Sequence, residues 1–155
     1  ELGERLGDFE RVDVVVGMAN PTKASVKRLC QKYKNCYYHE QISNMAELVA
    51  QADFSIGACG AVTGERIFLG LPSIVVSLAD NQLEVSRHLH ELMNVYYIGD
   101  HSCLNIVSIE KAIQDYLGSP DKVRNISSDL LNISNSNLDE MVRKLVSTEL
   151  SNESG

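Results

Sequence analysis

The stretch "IGACGAVTGERIFLGLP", Ile56 to Pro72, decides the fold. It reads as a buried strand, then a turn of small residues (Gly57, Ala58, Cys59, Gly60, Ala61), then a helix over Val62–Leu69. The helix halts at Gly70-Leu71-Pro72, with glycine just past its end and proline soon after. The β-branched run Ser73-Ile74-Val75-Val76-Ser77 follows at once and predicts another strand. Strand, helix and strand joined this closely make a βαβ unit, whose strands lie parallel.

Outward from this unit the pattern repeats. Towards the N-terminus, Val12 to Val16 is a β-branched run ending at Gly17, and Cys36-Tyr37-Tyr38-His39 and Phe54-Ser55-Ile56 are further strand candidates. Asn20-Pro21 predicts a helix start, with Asn as cap and Pro at the first helical position, for a helix over residues 23–34. Asn44-Met45-Ala46-Glu47 has capping-box form, backed by Met45, Leu48, Val49 and Ala52 at helical spacing. Asn81-Gln82-Leu83-Glu84 is a second such box, opening a helix towards Met93, and Val95-Tyr96-Tyr97-Ile98 is the fifth strand. Beyond residue 100 only helices are expected, with Ser108 and Ser119-Pro120 as caps; they pack on the sheet or reach something else. The expected fold is α/β, a Rossmann-like parallel sheet with helices on both faces. It forms one domain over residues 1–155, with a core at 12–99 and C-terminal helices at 100–150.

Composition narrows the function. The 155 residues carry a net charge of −7, which argues against nonspecific nucleic-acid binding because that needs a basic face. A phosphorylated small ligand stays open, since backbone N–H groups hold phosphate without Lys or Arg. No apolar run approaches a transmembrane span, and the first residues are charged throughout rather than signal-like. Cys30, Cys36, Cys59 and Cys103 show no C-x-x-C spacing, so reduced thiols in a cytoplasmic protein are expected and a zinc site is not. His88 and His90 stand two apart on a helix, poor geometry for a metal pair. No general base or catalytic constellation can be nominated, and no cofactor or metal is required.

Ligands of open parallel sheets bind outside the carboxyl ends of the strands. Those ends are Gly17 to Asn20, Glu40 to Ser43, Gly57 to Thr63, and Leu78 to Gln82. The Gly57–Thr63 turn is the strongest candidate. Its small side chains let another object approach the backbone, and the helix behind it aims free N–H groups and a positive dipole end at that space. A tight turn with no ligand reads equally well. The turn is neither a Walker loop nor G-x-G-x-x-G. Glu65 follows in the first turn of the helix, where the dipole alone explains it or a ribose diol does. Capping explains Asn81, whereas Gln82 has no such duty and could reach a sugar hydroxyl.

The segments "VVVGMANP" and "ISNMAELVAQADFSIGACGAVTGERIFLGLPSIVVSLADNQ", with the spacing between them, resemble the UDP-sugar hydrolases of pseudaminic acid biosynthesis and the related spore-coat polysaccharide glycosyltransferase-like proteins. More distantly they resemble the C-terminal half of MurG-type N-acetylglucosaminyltransferases. The resemblance spans residues 12–99 and implies the C-terminal nucleotide-binding half of a GT-B-type two-domain fold. It implies UDP or a UDP-sugar as ligand: uracil near Ile42 and Met45, diphosphate at Ala58, Cys59, Gly60, Ala61, Val62 and Thr63, and ribose on Glu65. It also implies diphosphate and sugar near Asp80, Asn81 and Gln82; Gly17 and Asn20, at the first strand end, complete the expected binding residues by the strand-end argument. The family usually has Gly-Gly-Ser/Thr in the turn, where this chain has Cys59-Gly60-Ala61-Val62. Gly64 replaces a bulkier residue, and Met18 a small polar one. In such proteins the catalytic histidine lies in an N-terminal domain, expected here as a missing partner. The alternative is a non-catalytic Rossmann-like interaction or regulatory domain that has lost the nucleotide.

Overall fold

The fully buried strand Ser73–Ser77 is the centre of the larger of two sheets. A computed structural model describes residues 6–79, 82–92 and 94–134. In chain order the elements are β1 (Val12–Val16), α1 (Lys23–Cys30), β2 (Cys36–Glu40), α2 (Met45–Ala50), β3 (Ser55–Ala58), α3 (Ala61–Phe68), β4 (Ser73–Ser77), α4 (Leu83–Leu92), β5 (Tyr96–Asp100) and α5 (Ile106–Leu117). A last helix, α6, covers described residues 120–134. The architecture is α/β with parallel strands flanked by helices, consistent with a Rossmann-like fold. Among the described residues, no helix is long and apolar enough to cross a membrane.

The strands divide between two sheets, where one was expected. The chain forms two compact units, Glu1–Met45 and Ala46–Gly155. The first holds β1 and β2, paired in parallel with Val12 opposite Cys36 and Val16 opposite Glu40. The second holds a parallel sheet in the order β3-β4-β5. Between β4 and β5 the register slips: Val75 faces Tyr97, but Ser77 faces Asp100. The extra residue falls where Gly99 takes a φ of 111°, a bulge that glycine accommodates without strain.

The second unit has one continuous core. Ile67 of α3, Ile74 and Val75 of β4, Leu89 of α4, Val95, Ala112 and Tyr116 of α5, and Ile126 and Leu130 of α6 form one buried cluster. The helices after residue 100 therefore pack on this sheet. Burying these apolar side chains is what sets the helices on the sheet, at about 1.5–3 kcal/mol for each large one.

Several boundaries differ from the sequence reading, each for a local reason. Helix α1 starts at Lys23 behind Thr22, because Asn20 Oδ1 accepts the Thr22 N–H at 2.8 Å and closes a turn ahead of the helix. It ends at Cys30 instead of continuing to 34, and successive turns through Tyr33 lead into β2. Phe54 lies outside β3, which extends instead to Ala58. The cap of α5 is Asn105, whose Oδ1 accepts from Ser108 N at 2.9 Å while Ser108 Oγ accepts from Asn105 N at 3.1 Å. Ser108 is thus the third helical residue of a capping box. Ser119 does cap α6, its Oγ accepting from Lys122 N at 3.2 Å.

Candidate functional site

In the second unit, β3 delivers the chain to the small-residue turn and α3 carries it away. The Cys59 amide stays in the ladder, donating to Val76 O at 2.9 Å. Gly60 is the N-cap residue of α3, and having no side chain it cannot cap. Thr63 caps in its place, its hydroxyl accepting from Gly60 N at 3.1 Å and donating to Ala58 O at 3.4 Å. The Thr63 amide in turn donates to Gly60 O at 2.8 Å. Among the described residues, nothing accepts from the amide of Val62, one of the donors a helix start leaves over. The space above the turn is open, since a Cβ placed on Gly60 or Gly64 would meet nothing within 4 Å.

The proposed ligand contacts have distinct surroundings. Cys59 and Thr63 are buried, at 3% and 2% exposure. Ala58 and Val62 are half-buried. Glu65 is exposed, and its carboxylate has no hydrogen-bond partner among the described residues. Gln82 does have a structural duty, contrary to the sequence reading: its Oε1 accepts from Leu78 N at 2.9 Å and closes the loop after β4. Asn81, with Asp80, lies outside the described residues. In the first unit, Gly17 and Asn20 are exposed after β1, and Ile42 and Met45 are half-buried after β2. The residues brought together within one unit are thus Ala58 to Thr63 and Glu65.

Arg66 is the charged group that sequence reading passed over. Its guanidinium packs on the backbone of β3, so close that a Cβ on Gly57 would lie 2.8 Å from Nη2. Nη1 is buried and has no hydrogen-bond partner among the described residues. Burial lowers the Arg66 pKa, with weak opposing support from Cys59 and Glu65. Arginine nevertheless keeps its proton in proteins, so a cation stays at the base of the turn. The signal in the sequence was a glycine at the strand end with a cation on the helix behind it. The two together describe a long side chain laid across bare backbone.

Other charged groups cluster on β1 and β2. Asp13 accepts from Arg11 Nε at 2.7 Å and Nη2 at 3.0 Å, and its Oδ1 lies 2.6 Å from His39 Nε2. Arg11 also sits over the Tyr37 ring, 4.7 Å from its centroid. These contacts satisfy each other within one small sheet. Among the described residues, no three His, Cys, Asp or Glu side chains converge as metal ligands.

No family model matches the chain. Over 73 residues it is 34% identical to the spore coat polysaccharide biosynthesis protein SpsG of Bacillus subtilis. The match covers 47% of this chain and 22% of that protein, so the chain is similar to part of a polysaccharide-biosynthesis protein and spans only about a fifth of its length.

Proposed function

We propose that the chain is a UDP-sugar-binding domain of an enzyme that makes bacterial surface polysaccharide, a sugar-nucleotide hydrolase or a glycosyltransferase. The observation that carries this reading is the turn from β3 to α3. The Val62 amide is left over there, open space lies around Gly60 and Gly64, and the Arg66 guanidinium, its Nη1 without a hydrogen-bond partner among the described residues, lies against Gly57. A diphosphate supplies the negative charge such a turn lacks. Glu65, exposed one turn into the helix, is then the acceptor for ribose hydroxyls. The partial likeness to a spore coat polysaccharide biosynthesis protein supports the same role.

A second reading, a Rossmann-like domain without nucleotide, draws on the bonds already made inside the turn. The Thr63 hydroxyl and the Gly60 amide serve each other and have no hydrogen bond to spare for a phosphate in this arrangement. Titration calorimetry with UDP, UMP and ADP separates the two. Preference for UDP supports the first reading, and absence of heat with all three supports the second. Charge-assisted hydrogen bonds contribute about 1.5–3 kcal/mol, so Glu65→Ala should weaken UDP binding roughly ten- to hundredfold. Its exposed position predicts an unchanged urea midpoint. Unaltered UDP affinity in this variant would take Glu65 out of the site.

A further inference from the structure

Helix α1 and strand β2 meet in three rungs. Lys23, Lys27 and Cys30 follow at i, i+4 and i+7 on one face of α1, while Glu40, Tyr38 and Cys36 alternate on one face of β2 in reverse order. Lys23 Nζ lies 2.8 Å from Glu40 Oε1, and Lys27 Nζ lies 5.7 Å from the centre of the Tyr38 ring. The same spacing sets Cys30 of α1 opposite Cys36 of β2 on the third rung. The spacings agree: a helical turn advances about 5.4 Å and two strand residues about 6.6 Å, so an antiparallel helix keeps step with the strand. Two successive turns close the link, Tyr33 N–H to Cys30 O at 3.0 Å and Cys36 N–H to Tyr33 O at 3.2 Å.

We propose that Cys30 and Cys36 are a reversible dithiol–disulfide site that reacts with low-molecular-weight disulfides. Cys30 is buried at 3% exposure and Cys36 is half-buried, so Cys36 is the point of entry. Its thiolate attacks one sulfur of RSSR, forming a mixed disulfide and expelling RS⁻. The Cys30 thiolate then attacks the Cys36 sulfur and expels the second RS⁻. Both protons lost by the cysteines end on the two RSH released. The pair gives up two electrons and RSSR takes them. The groups facing Cys36 set the pace. Burial, then Cys30 on α1, then the charge of Asp13 on β1, push its thiol up to about 11. At neutral pH the thiolate is therefore about one part in ten thousand, and the site is slow until the solution turns alkaline.

The full chain, incubated with oxidised glutathione across a pH series, alkylated, and cut with trypsin and a Glu-specific protease, tests this. Residues 29–32 should emerge joined to residues 35–40, reduction should separate them, and the rate should rise roughly tenfold per pH unit below the thiol's pKa. Cys30→Ser should leave a lasting glutathione adduct on Cys36. If that variant does not fold, the wild-type map and its pH dependence decide alone. A lasting adduct on wild-type Cys36, a bridge to Cys59 or Cys103, or full alkylation of both thiols after glutathione would each overturn the proposal.

Discussion

Gly70 takes a φ of +69°, a conformation in which a Cβ crowds the following carbonyl. The last turn of α3 requires that conformation. Gly70 N donates to Ile67 O at 3.0 Å and Leu71 N to Arg66 O at 2.7 Å, which together cap the helix end. A Cβ there would also lie 2.6 Å from Leu131 Cγ on α6. Left-handed strain and overpacking add to about 2–4 kcal/mol for Gly70→Ala. A urea melt should show a lower midpoint with an unchanged slope, and an unmoved midpoint would mean that α6 does not press on this turn. The glycine's role was legible in the sequence as a helix stop. The approach of Leu131 was not, because it comes from residues far along the chain that meet Gly70 only when the core closes. Gln82 shows the same limit, since its bond to Leu78 exists only once the loop after β4 has formed.

Among the elements, those with strong local signals were legible. The β-branched run Ser73–Ser77 is a strand with the bounds expected, because every one of its residues is buried and no neighbour could shift it. Helix α1 was read too long, since its 31–34 segment is polar enough to suit either a helix or the turns that form. The division of strands between two sheets was not legible either, because pairing partners are chosen by contacts across the chain rather than by the run itself. Of the candidate site, the turn followed from spacing; Glu65, expected in the first turn of α3, lies beyond it because the helix already starts at Ala61, and Arg66 and the ion cluster of β1 and β2 needed coordinates. That cluster predicts acid sensitivity. Burial works to raise the Asp13 pKa, but hydrogen bonds from Arg11 and His39, with their charges, prevail and hold it below its ordinary 3.8. A carboxylate depressed in the folded state stabilises above its unfolded pKa, and that stability is lost as pH falls through the folded value. Asp13→Asn should therefore be less stable than wild type at neutral pH, by about 1 kcal/mol for this partly exposed network. The two urea midpoints should converge once the pH drops well below 3.8. A gap that persists in acid would show that the carboxylate's charge is not what binds the two strands.

At the scale of the whole core, a buried phenol ties α5 to the residue just ahead of β5. Tyr116 of α5 is 4% exposed, lies 5.4 Å ring to ring from Tyr96 of β5, and donates its hydroxyl to Asn94 O just ahead of that strand. Asn94 itself turns with a φ of 50°, which exposes its carbonyl to the helix and makes this bond the tie between α5 and the end of α4. Burial pushes the Tyr116 pKa up to about 12, against an ordinary value of 10.0. The sign follows from linkage. Between these values the unfolded chain has released the proton and the folded chain has kept it, so stability falls as pH rises through that window. Two units at about 1.4 kcal/mol each give a loss of up to about 2–3 kcal/mol. Tyr116→Phe forfeits the hydrogen bond, about 1 kcal/mol at neutral pH, but has no proton to lose. Wild type should therefore be the more stable protein at neutral pH and the less stable one above pH 12, with the urea midpoints crossing between 10 and 12. Should wild type keep its advantage throughout alkali, the hydroxyl is in contact with water and α5 does not close over it.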